Sequence, residues 1–168
     1  IVAMVVASAL AICLPLQVSA QDTKKTDFVA KDVKDRTVNS KSYRGKVLLV
    51  FINSHETGDA MRPVTEKMIL KYGHNPKVGQ VSIADLQELD FYKKPFAKDH
   101  ISGAHDRTVK RIKGVLKKNK RPPIPGLSRN LHIIIDFEGK LVKRFHHFNP
   151  LKHVTVVVIN KQGDTVGS

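Results

Sequence analysis

The sequence predicts an α/β fold in which a central mixed β-sheet is flanked by helices. Three observations predict it. Short apolar runs, Val47-Leu48-Leu49-Val50-Phe51-Ile52 and Leu131-His132-Ile133-Ile134-Ile135, are bounded by turn-forming residues and have the length of strands. Between them, apolar residues recur at helical spacing, first as Met61, Val64 and Met68, then as Val109, Ile112, Val115 and Leu116. Beyond residue 131, two strand-and-turn segments follow, with Gly139 and Gly163 at their turns. Strand, helix, strand, helix and then hairpins is the order of a mixed sheet with helices packed against it.

Residues 1–20, IVAMVVASALAICLPLQVSA, carry no charge and end in Val18-Ser19-Ala20, a signal-peptidase site. The stretch barely reaches the roughly 18–20 residues of a spanning helix, so it reads as a secretory signal. The mature domain is then 21–168, periplasmic or secreted. Ile12 is too bulky for the residue ahead of a lipid-modified Cys13. No positive residue precedes the apolar run, so further residues are expected ahead of Ile1, and a C-terminal helix is expected after Ser168. Cys13 is the one cysteine, which leaves the mature domain without an internal disulfide or a thiolate metal site. The 29 Lys and Arg outweigh the 15 Asp and Glu to give a formal charge of +14. That balance favours anionic partners such as nucleic acid, acidic polysaccharide or an anionic membrane surface.

Each element follows in order. Asp27–Arg44, with Asp32, Asp35 and Asn39 as turn formers, reads as a hairpin leading into the core. Val47–Ile52 reads as a strand buried on both faces. Asn53–Asp59 is a loop rich in helix-capping residues, with Thr57 or Asp59 as the cap. A helix then runs to a stop at Gly73, with Pro63 expected in its first turn. Val78–Ala84 is a second buried strand and Asp90–Ala104 an irregular connection. Asp106 is expected to cap a helix ended by Asn119 and Pro122-Pro123. Leu131–Ile135 is a third strand, turned by Asp136-Phe137-Glu138-Gly139 into a returning strand over Lys140–Phe145. Val154–Ile159 is a fourth, turned by Asn160–Asp164.

Ser42-Tyr43-Arg44-Gly45-Lys46-Val47-Leu48-Leu49-Val50-Phe51 resembles the opening of the redoxin (AhpC/TSA-like) branch of the thioredoxin superfamily. There, a Gly-Lys pair precedes the strand that carries the active-site loop. Asp136–Gly139 and the segment Val156–Gly163 resemble the paired D-x-x-G hairpins of peroxiredoxin-like chains. Within that branch the chain is similar to the YtfJ-like periplasmic proteins, in its exported start, Gly-Lys-Val strand, loop Thr and late Val-Val-Val strand. The resemblance implies a thioredoxin-like fold and places the equivalents of its active-site loop at His55, Glu56, Thr57, Asp59 and Ala60. It does not carry the chemistry over, because a redoxin needs a thiolate at the helix N-terminus. Aligned on T-x-x-C, Thr57 matches but the cysteine position holds Ala60. Aligned on C-x-x-C, the pair becomes Glu56 and Asp59, or His55 and Gly58. Val154 also stands before Thr155, where thioredoxins carry a proline.

No thiol-disulfide oxidoreductase or peroxidase activity is therefore expected, and no residue is assigned a catalytic role. His55, Glu56 and Asp59 share the loop and could bind a divalent metal or act as acid and base. A solvated capping loop uses the same residue types. His146, His147 and His153 could join His55 in a histidine-rich metal site. No phosphate loop, dinucleotide turn, zinc-finger spacing or nucleophile elbow is present, and no cofactor is expected. Arg107, Lys110, Arg111, Lys113, Lys117, Lys118, Lys120 and Arg121 form a run without an acidic residue until Asp136. With Val109, Ile112 and Leu116 turned inward, the basic groups face outward as a candidate anion-binding surface. No aromatic residue interleaves them, which argues against a reader of single-stranded bases. The expected function is an exported, non-catalytic domain that binds a protein or polyanionic partner. The alternative is a repurposed enzyme or metal-binding protein using the His55-Glu56-Asp59 loop.

Overall fold

The computed structural model describes residues 26–145 and 154–167. The described part opens with a small antiparallel hairpin, β1 (Val29–Lys31) and β2 (Thr37–Asn39), as its turn residues require. Then come β3 (Val47–Ser54), α1 (Gly58–Tyr72), β4 (Val78–Asp85), α2 (Lys94–Lys118), a single-turn α3 (Leu127–Asn130) and β5 (His132–Asp136). β6 (Thr155–Ile159) and β7 (Thr165–Gly167) close the order. The main sheet runs β5-β4-β3-β6-β7. β3, β4 and β5 are mutually parallel, while β6 pairs antiparallel to β3 and β7 antiparallel to β6.

β3 sits at the centre of this sheet and is apolar on both sides. Leu48, Val50 and Ile52 point to one face, with Val81, Ile83, Ile134 and Val157 beside them. Phe28 and Val38 of the hairpin region cover that face together with Val142 and Phe145. Leu49 and Phe51 point to the other face, against Met61, Val64 and Met68 of α1. α2 lies on this second side too, where Val109, Ile112 and Leu116 meet Ile69 of α1. The end of α1 sits close against the following segment. A Cβ on Gly73 would come within 2.6 Å of Ile124 Cδ1, so the glycine is there for space, its φ of −62° being ordinary.

The hairpin is tied to the sheet by a buried carboxylate. Asp32 bridges to Ile134 along the backbone, and its side chain accepts from Arg36 Nε at 2.7 Å and from His132 Nδ1 at 2.8 Å. Arg36 also donates to the carbonyls of Ser128, Arg129 and Leu131. His105, 1% exposed, reaches the carbonyls of Ser128 and Leu131 from α2 and has Asp106 on its other ring nitrogen. These groups fix the approach to β5 by hydrogen bonds in addition to the apolar packing of Leu127 and Leu131.

Three expectations are corrected. Residues 94–104 belong to α2, so Asp106 lies inside the helix and caps nothing; Pro95 enters the first turn, where its missing N–H costs nothing. Pro63 is inside α1, in the second turn, where Asp59 receives no N–H from it. Lys140–Phe145 does not return as a strand. The Asp136 carboxylate takes the N–H groups of Lys140, Leu141 and Val142, and the chain winds into a 3-10 turn over Val142–Phe145. The donors that a strand would offer to a neighbour are thereby already bound. The second turn does make a hairpin: Asn160 Oδ1 accepts from Gln162 and Asp164, and Gly163 takes a φ of +88°.

Candidate functional site

The loop between β3 and α1 is held by two hydroxyls. Ser54, fully buried, donates its N–H to Thr57 Oγ1 at 2.9 Å, and Ser54 Oγ accepts from the N–H groups of Glu56 and Thr57. Thr57 takes the N-cap position of α1, yet its side chain turns back to Ser54 and makes no cap hydrogen bond to the helix. This arrangement points the intervening residues outward. His55, Glu56, Asp59 and Ala60 are all exposed, and Asp59 pairs with Arg62 one turn along.

His55 and Asp59 line one end of a cavity, whereas Glu56 and Ala60 do not. The loop therefore does not bring His55, Glu56 and Asp59 to one centre. Among the described residues, no three His, Cys, Asp or Glu side chains converge as a metal site would require. His146, His147 and His153 lie outside the described residues. The cavity, about 550 Å³, opens between α1 and the first half of α2, with the sheet as its floor. It lies over β4 and β5, on the side of α1 away from β6.

The basic run occupies the second half of α2 and the turn after it. Arg107, Lys110, Arg111, Lys113, Lys117 and Lys118 are exposed on the helix, and Lys120 and Arg121 are exposed beyond its end. Among the described residues Arg111 alone of the eight forms an ion pair, with Glu66 of α1 at 2.5 Å. Arg121 donates to the Leu70 carbonyl at 2.9 Å. Asp106, at the head of the run, is already engaged by Lys34 at 2.8 Å and by His105. The neutralising groups are therefore few and local.

The arrangement of this sheet, with its central β3, the helix following it and the late antiparallel hairpin, recurs in solved structures. A pneumococcal exposed lipoprotein thioredoxin from Streptococcus pneumoniae superposes with a TM-score of 0.56 at 16% identity, over 83% of this chain and 85% of that one. The fold is thioredoxin-like. A secreted Mycobacterium tuberculosis disulfide oxidoreductase homologous to E. coli DsbE gives 0.52 at 15% identity, over 84% of this chain and 82% of that one. A thiol:disulfide interchange protein of the thioredoxin family from Chlorobium tepidum gives 0.52 at 16%, over 88% and 85%. No protein-family model matches the chain, and no curated protein does. At these identities the likeness concerns the fold.

Sequence reasoning located the loop and the basic run but missed the cavity. It also missed the exposed aromatics Phe91, Tyr92 and Phe96, of which Phe96 lines the cavity. Three aromatic residues within a polar connection were the available signal.

Proposed function

We propose that the chain is an exported, non-catalytic thioredoxin-fold domain that holds a polyanionic partner on the exposed face of α2. The observation that carries this reading is the row Lys110, Lys113, Lys117 and Lys118. All four are exposed and, among the described residues, none has an ion-pair partner, while Val109, Ile112 and Leu116 anchor the opposite side of the helix. Cations in the last turn also complement the helix dipole. That effect accounts for Lys117 and Lys118 but not for Lys110 or Lys113, which sit earlier. The non-catalytic half of the reading rests on residues 54–60, Ser-His-Glu-Thr-Gly-Asp-Ala, which offer no sulfur at the head of α1. An uncharged start over residues 1–20 supports export, as do an exposed lipoprotein and a secreted oxidoreductase among the fold neighbours.

Retention on immobilised heparin tests it. Changing Lys110, Lys113, Lys117 and Lys118 to Glu is expected to abolish retention with the fold unchanged. The same change at Lys46, Lys77, Lys143 and Lys161, exposed on other elements, is expected to reduce it only slightly. The logarithm of affinity should fall against that of salt concentration with a slope of roughly 0.9 per contact, as for duplex phosphates. Equal loss in both variants would leave overall charge as the cause and remove the localised site. In parallel, insulin-disulfide reduction is expected to stay at the uncatalysed rate.

A further inference from the structure

We propose that the cavity between α1 and α2 is a binding site for an amphiphilic carboxylate, a molecule with an aliphatic body and a single anionic head. The volume, about 550 Å³, falls within the roughly 300–1,000 Å³ typical of small-ligand sites. Its wall is apolar: Ala84 and Ile133 from the sheet, Met61 from α1, and Ala97, Ile101 and Ala104 from α2. The alanines create the space. Further along the same two helices, Ile69 meets Val109, Ile112 and Leu116 and the gap is filled. Hydroxyls in the wall come from Ser54, Thr65, Ser82 and Thr108, with one amide from Asn53. Ser54 and Asn53 are already hydrogen-bonded within their own loop, which leaves too few to satisfy a sugar or nucleotide buried there.

The mouth has the opposite character. His55, Arg62, Lys93 and His100 face it with Asp59 as the single carboxylate among the lining residues. Arg62 is paired with Asp59, and Lys93 with Asp90 at 2.6 Å. Both pairs are exposed, and exposed pairs are worth little, so either cation can exchange its partner for a ligand carboxylate. Phe96, a lining residue, is 72% exposed, and Phe91 and Tyr92, directly before the lining Lys93 in the chain, are 83% and 58% exposed. Positive charge at the rim and an apolar interior together fit an aliphatic carboxylate. The site is separate from the lysine row, which begins further along α2.

Titration calorimetry with laurate, and with dodecanol as the uncharged counterpart, tests the proposal on the whole protein below the micellar range. Saturable laurate binding is expected, with dodecanol about tenfold weaker. Ala104→Trp fills the cavity from α2 and Thr65→Trp from α1, and each is expected to weaken laurate binding at least about tenfold. Two variants from opposite walls keep the test decisive if one of them fails to fold. Arg62→Gln with Lys93→Gln is expected to bring laurate down to the affinity of the alcohol and leave the alcohol unchanged. The quadruple Lys→Glu variant of the second half of α2 should bind laurate normally. Absence of saturable laurate binding, equal binding of acid and alcohol, or unchanged binding in both tryptophan variants would each overturn the proposal. So would selective capture of apolar peptides in place of laurate.

Discussion

Asp32 is buried at 3% exposure and accepts hydrogen bonds from Arg36, His132 and the N–H groups of Lys34 and Arg36. Burial pushes its carboxyl upward, but the Arg36 and His132 hydrogen bonds and the two backbone donors outweigh that and hold it at about 2, below the ordinary 3.8. The unfolded chain therefore binds this proton at a higher pH than the folded one does. The stabilisation is complete above the unfolded value of 3.8 and is lost as pH falls from there through about 2. The difference corresponds to about 2 kcal/mol. Asp32→Asn is expected to lower stability by about that amount at neutral pH, and the gap from the unaltered protein should close as the pH approaches 2. Urea melts across this range measure it. A gap that does not change with pH would show that the carboxylate's charge is not what ties the hairpin to β5.

β3 shows what a strand enclosed on both faces implies for substitution. Leu49 is packed with Phe51 and Met61 under α1, so Leu49→Asp would bury a carboxylate without a partner at a cost of roughly 3–5 kcal/mol. Loss of soluble, cooperatively melting protein is expected; a well-folded variant would contradict the placement of this strand. The same strand was legible because every residue from Val47 to Ile52 is apolar. α2 was legible only in its second half. Its inward positions Ala97, Ile101, His105, Val109, Ile112 and Leu116 keep one helical stripe throughout, but His105 interrupts the apolar pattern. Only the structure shows its ring satisfied by the carbonyls of Ser128 and Leu131. At 140–145 the misleading signal was the glycine turn. Val142 and Phe145, three residues apart and both buried, carry the spacing of a 3-10 turn, and the aspartate that takes its N–H groups is the neighbouring Asp136, whose turn-forming role hid this local one. The candidate site divides in the same way: the loop and the basic run are contiguous in sequence, whereas the cavity is assembled from β4, β5, α1 and α2.

At the scale of the molecule, the order β5-β4-β3-β6-β7 depends on pairings far apart in the chain. Leu48 lies opposite Ile159 on one side of β3 and beside Gly79 of β4 on the other. Strand content can be read from local patterns, but which strands become neighbours cannot. A chain ending at Phe145 would keep α1, α2 and three parallel strands, yet would leave one long edge of β3 open and lose Val157 and Ile159 from the core. Such a truncation is expected to show no cooperative melt and little protection of the β3 amides from hydrogen exchange. A cooperative transition close to that of the whole chain would mean that β6 adds little to the core.

The late arrival of β6 also governs the clock of folding. In a chain delivered N-terminus first, the segment from Val47 to Ile52 emerges early, yet it waits for Thr155–Ile159 before its second ladder can close. Contacts of such separation form slowly, because the intervening chain must be gathered before any pairing rewards it. Throughout that interval the six apolar residues present an open edge to other chains, a recognised route to misassembly. The same delay leaves the sheet incomplete on this side of β3 until Ile159 has emerged.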